Sequence, residues 1–227
     1  MRTRKFTRRA ENSGWLVVRL AATRQEIALC EYTKVELTRE SAGIVYFKIV
    51  DGNSGFVGQE ALLHKKNADL YLSDVGPRAP ATVNVRYTGD PAWEVSPFKG
   101  RLLQQWAIET FNGTNAQVTL NSVWGGRFTP IPVGVHKIFA PDRSHQNIPT
   151  TGYVAVTPGM HGNDVWFPIG LHGGAVPSGR YLHVGHLSEG CITSYELQKW
   201  NALYDYLISS REPGYMGKYI GKVTVQK

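Results

Sequence analysis

A chain of 227 residues is long enough to bury a sizeable core. Hydrophobic residues make up 42% and charged residues 19%, a balance that excludes a disordered or low-complexity chain. The formal net charge of +7 favours an anionic partner, and charge alone leaves nucleic acid, anionic lipid and cell-wall polymer open.

The chain opens on a basic run, Arg2-Thr3-Arg4-Lys5 to Arg8-Arg9, which reads as a solvated arm. Trp15-Leu16-Val17-Val18 is cut by Arg19, so no apolar core of about 7–15 residues follows the basic start, and no signal peptide is expected. No run approaches the ~18 apolar residues of a membrane span. Cys30, between Leu29 and Glu31, reads as a buried core thiol; with Cys191 as its only companion, no disulfide framework is implied. Ile44 to Val50 is strongly β-forming, Asp51 to Gly55 is turn material, and Phe56-Val57 reads as a strand resuming. His64, beside Lys65-Lys66, reads as a surface histidine. Ala79 to Tyr87 alternates strictly at Val83, Val85 and Tyr87. Two prolines and a glycine crowd between Asp90 and Gly100. The expected division is therefore a β-rich module over residues 1–97, with docking, delivery or wall binding as candidate roles, and a second β-rich domain over residues 98–227.

In the second part, Leu102 to Phe111 alternates imperfectly and ends at Asn112-Gly113, a hairpin signal, and Val118 to Val123 follows. The prolines and glycines of Trp124 to Gly134 delay the next regular strand until about Val135. Val165 to Leu171 and Arg180 to Val184 are the next strands, joined through His172-Gly173-Gly174. One helix is clear. Thr193 and Glu196 have capping-box spacing, and Leu197, Trp200, Tyr204, Leu207 and Ile208 share one face, read as core packing. The fold class expected is mainly β with one clear helix in the C-terminal half.

The chemistry concentrates in Arg180 to Thr193. Cys191 follows a Ser188-x-Gly190 turn, between a strand and the helix, with His183 and His186 close in sequence. A thiolate can attack a carbonyl while a nearby imidazole takes the thiol proton and returns one to the leaving amine. Gly190 permits close backbone approach, so the N–H groups of Gly190 and Cys191 are candidates to face the oxyanion. A buried thiol beside a surface imidazole is the plainer alternative. His183, His186 and Cys191 as zinc ligands match no common structural spacing.

Ser188-Glu189-Gly190-Cys191-Ile192 resembles the Ser-x-Gly-Cys-Ile signature of L,D-transpeptidase (YkuD-like) catalytic domains. Gly125-Gly126, followed by Thr129-Pro130-Ile131-Pro132-Val133-Gly134 and Ile138, is similar to a second stretch of that family. The resemblance covers roughly Lys99 to Arg211. It implies no metal and no organic cofactor, with Cys191 as nucleophile and a histidine base, and attack on the carbonyl before the terminal D-amino acid of a peptidoglycan tetrapeptide stem. A thioester would form, and an amine or water would resolve it. Glu189 and Thr193 depart from the family's usual residues, His before the glycine and Arg or Asn two after the cysteine.

His172, in Ile169-Gly170-Leu171-His172-Gly173, resembles the family's Ile-His-Gly-Thr segment, whereas strand order favours His183 as base, with His186 third. The compact His–Ser–x–Gly–Cys spacing resembles L,D-transpeptidase-like toxins of type VI secretion. That implies export without a signal peptide, action in the periplasm or cell wall, and a secretion component or an immunity protein as partner, with no nucleic acid and no membrane span. An L,D-carboxypeptidase and a non-enzymatic wall-binding protein are the alternatives.

Overall fold

The computed structural model describes residues 3–127 and 129–227. Arg2 of the basic run and Phe128 of the Gly-Gly stretch lie outside the described residues. The chain is mainly β, and among the described residues no helix is long and apolar enough to cross a membrane.

The first sheet takes β1 (Arg4–Thr7), β2 (Trp15–Leu20), β3 (Glu26–Cys30), β4 (Lys34–Ser41), β5 (Ile44–Ile49), β6 (Glu60–His64) and β7 (Leu72–Ser73), with a short helix α1 (Lys65–Tyr71) before β7. Its strand order is β3-β2-β6-β5-β4-β1-β7. Alternate residues such as Leu16, Val18, Val45, Phe47 and Ile49 point into a core of its own. Phe56-Val57 lies in a turn rather than a strand, and pairing resumes at Glu60.

The rest of the chain builds β8 (Ala81–Tyr87), a hairpin of β9 (Ala92–Ser96) and β10 (Gly100–Gln104), then β11 (Trp106–Phe111), β12 (Thr114–Thr119) and β13 (Gly134–Phe139). Helix α2 (Thr151–Val156), β14 (Phe167–Gly170), β15 (Arg180–Val184), β16 (Ile192–Ser194), helix α3 (Leu197–Ile208) and β17 (Tyr219–Gln226) complete it. Eight strands close a barrel in the order β11-β12-β16-β15-β14-β13-β17-β8. Asn112 and Gly113 take φ +44° and +77°, the left-handed pair that a two-residue hairpin between β11 and β12 requires.

The expected boundary at 97/98 is corrected by the pairing. β8 belongs to the barrel, parallel to β17 and antiparallel to β11. The Pro- and Gly-rich stretch at 90–100 is therefore not a linker between sheets; it holds the turn of the β9–β10 excursion between two barrel strands. The sheets part instead between β7 and β8. They are not independent, since Trp15 and Cys30 pack in the barrel's core cluster. The Arg211 guanidinium, buried, donates to the carbonyls of Ile208, Ser210 and Glu31 at 2.7–2.8 Å. Tyr204 Oη donates to Glu31 Oε1 at 2.9 Å.

The apolar stripe of α3 is core, as its spacing predicts: Leu197, Trp200, Leu203, Tyr204, Leu207 and Ile208 are all buried. Burying each such side chain stabilises the fold by about 1.5–3 kcal/mol. The capping box does not form. Thr193 is extended within β16, and the Glu196 carboxylate accepts the Gln117 N–H at 2.7 Å instead of closing on the helix.

Candidate active site

Parity along β15 positions the site. Leu182 and Val184 face the barrel core, so Tyr181 and His183 face outward. In the parallel β15–β16 ladder Leu182 pairs with Ile192 and His183 with Thr193, which sets Cys191 beside Tyr181 on the same outer face. The segment between β13 and β14, including α2, covers this face. A cavity of about 320 Å³ results, lined by Cys191, His183, Tyr181, Trp166, Tyr153 and Lys99 among others.

The turn carrying Cys191 is braced by the segment after β12 and by β10. Ser188 Oγ donates to the Cys191 carbonyl at 3.0 Å and accepts the Cys191 N–H at 3.1 Å. Ser122 N donates to the Ser188 carbonyl at 2.7 Å, and Ser188 N donates to Ser122 Oγ at 3.0 Å. Ser122 Oγ in turn donates to Gln104 Oε1 at 2.5 Å. Gly190 has φ +82°, a left-handed conformation that a side chain would strain. The Cys191 amide is thus spent on Ser188, which corrects its expected place in an oxyanion hole; the Gly190 amide has no acceptor among the described residues.

The two sequence motifs meet through one side chain. Arg180 Nε donates to the Gly190 carbonyl at 3.1 Å, and its Nη2 donates to the Thr129 carbonyl at 3.0 Å. The Thr-Pro-Ile-Pro stretch is thereby tied to the cysteine turn.

His183 is clamped. Its ring stacks on Trp166 with centroids 3.9 Å apart and planes at 9°, and His145 stacks on Trp166 at 4.5 Å. Nδ1 lies 2.9 Å from the Val184 carbonyl oxygen, and Nε2 lies 3.2 Å from Thr193 Oγ1. Burial pushes the imidazole down to about 4, against the Val184 carbonyl, which raises it. Burial likewise pushes the Cys191 thiol up to about 11, although a backbone hydrogen bond from Tyr181 and the Arg180 charge favour the thiolate. At neutral pH the cavity is thus lined by a neutral thiol and a neutral imidazole.

The other histidines go elsewhere. His172, expected as the alternative base, is exposed in a 3₁₀ turn after β14 with φ +51°, its N–H donating to His136 Nδ1 at 2.9 Å, and it does not line the cavity. His186 is a packing residue: it stacks on Tyr195 at 3.8 Å and its ring nitrogens meet Ser96 Oγ at 3.0 Å and the Tyr195 carbonyl at 3.1 Å. Among the described residues no group of three or more His, Cys, Asp or Glu is placed to hold a metal ion. Trp166, Tyr153, Ser122 and Gln104 were not singled out for the site from sequence. Parity with Phe167 was a signal for Trp166; the others are brought in by long-range pairing. No family model, curated protein or solved structure matches this chain.

Proposed function

We propose that this chain is a cysteine acyltransferase of the L,D-transpeptidase kind, acting on peptidoglycan tetrapeptide stems. The observation that carries the reading is that Cys191 and His183 line one cavity, with the thiol held on a braced Ser188-x-Gly190-Cys191 turn. Cys191 Sγ attacks the carbonyl that precedes the terminal D-amino acid. His183 Nε2 takes the thiol proton as attack proceeds, because a neutral thiol needs a base at neutral pH. The tetrahedral intermediate collapses, the C–N bond breaks, and the leaving amine takes the proton from His183. A thioester remains. An amine from a second stem or a free D-amino acid resolves it by transfer, and water resolves it by hydrolysis. The substrate places the reaction in the periplasm or cell wall, where a secreted antibacterial effector would act, with a cognate immunity protein as partner.

Incubation with purified muropeptides followed by mass spectrometry tests this. Loss of a terminal D-alanine with formation of cross-linked dimers or exchanged stems is the result expected; tripeptide alone would mark an L,D-carboxypeptidase. Cys191→Ala should lower turnover by about 10³-fold or more with the fold kept. Unaltered muropeptides, or full activity in that variant, would remove the proposal.

A further inference from the structure

Thr193 stands two residues after Cys191 on β16 and directly across the ladder from His183. It is fully buried, and its hydroxyl lies 3.2 Å from His183 Nε2. The other ring nitrogen fixes the direction of that bond. His183 Nδ1 meets the Val184 carbonyl, which only accepts, so Nδ1 carries the proton. In the neutral ring Nε2 is then a bare lone pair, and the Thr193 hydroxyl donates to it. That is the lone pair that must receive the Cys191 proton. Among the described residues no hydrogen bond joins the Cys191 sulfur to His183, and the sulfur takes a backbone bond from Tyr181 instead.

We infer that Thr193 is a positioning residue that latches the base: its hydroxyl occupies His183 Nε2 and keeps thiol and imidazole uncoupled until the side chain turns away. The inference rests on the reading of Cys191 and His183 as nucleophile and base. Rotation about the Thr193 Cα–Cβ bond frees Nε2. The S–H bond of Cys191 then breaks as an N–H bond forms at Nε2, in step with the attack of the sulfur on its electrophile. The latch is specific to the hydroxyl, because the Thr193 methyl packs elsewhere, 3.3 Å from where a Cβ on Gly185 would sit. Thr193→Val keeps a γ-methyl there and removes only the donor.

Alkylation of the whole protein with iodoacetamide at pH 7, read by peptide mass spectrometry, tests the latch without any peptidoglycan. Thr193→Val should raise the Cys191 rate by about 10-fold, since a freed imidazole takes the thiol proton as the sulfur attacks. Thr193→Ser, which restores the hydroxyl, should return the rate to the parent's range. Adding His183→Asn to Thr193→Val should remove the gain. Cys30 in the same samples reports general loosening and should stay slow. A Thr193→Val rate equal to or below the parent's, a gain that survives loss of the imidazole, or an equal gain at Cys30 would overturn the inference. Should Thr193→Val not fold, Thr193→Ala carries the same expectations. A protein that leaves muropeptides unaltered yet shows this alkylation pattern would lose the proposed reaction and keep the latch.

Discussion

His183 and Cys191 begin uncharged because both are buried, and this has consequences for pH. The proposed base, its ionisation pushed down to about 4, stays unprotonated through the mildly acidic range. The acid limb of kcat/KM should therefore fall well below the 6.5 of an ordinary histidine, and a limb at 6.5 would place the base on a more exposed ring. His183→Ala should cost about 10²-fold or more in rate, and His172→Ala far less, because His183 lines the cavity and His172 does not. Steady-state kinetics on soluble muropeptides read both, and equal or reversed losses would reassign the base. The residue types of this pair were legible in sequence. Thr193 was not legible as their neighbour, because its spacing to Glu196 mimics a helix cap; only the β15–β16 register reveals that it faces His183.

Among the elements, those whose signal is local were the readable ones. Arg180–Val184 is a strand to the residue, the Asn112-Gly113 turn joins β11 to β12, and the α3 stripe is buried. What was not readable is which sheet a strand joins. Val83 and Val85 alternate in β8 just as Val45 and Phe47 do in β5, yet one pair faces the barrel and the other the first sheet. Prolines near residue 91 suggested a boundary because a proline-rich turn and a linker share composition; pairing distant in sequence separates them. A chain beginning at Phe98 would lack β8 and leave unpaired edges on β17 and β11, so it should be insoluble. One beginning near Gly76 keeps all eight barrel strands and should be soluble but melt lower, having lost Trp15, Cys30 and the Glu31 acceptor of Tyr204. Solubility and thermal unfolding of the two chains check this.

The whole molecule also carries a buried acid. Glu109, inside the barrel, accepts a bond from Ser194 Oγ at 3.1 Å, and burial pushes its carboxyl up to about 8. Between about 4.5 and 8 the folded state therefore holds a proton that the unfolded chain releases, so this group's contribution to stability is full below 4.5 and is lost as pH rises through 8. The buried imidazole of His183 acts in the opposite sense, costing stability as pH falls from 6.5 toward 4. Glu109→Gln should flatten the decline of the melting temperature between pH 5 and 8, and an unchanged slope would show that Glu109 does not titrate there. The place of β17 has a consequence for synthesis. It lies between β13 and β8 and is the last barrel strand along the chain. While the ribosome is still adding residues, β15 and β16 can emerge and pair, but Leu182, Val184 and Ile192 have no closed core to bury against. The core behind Cys191 and His183 therefore closes only once β17 has emerged and paired with β13 and β8.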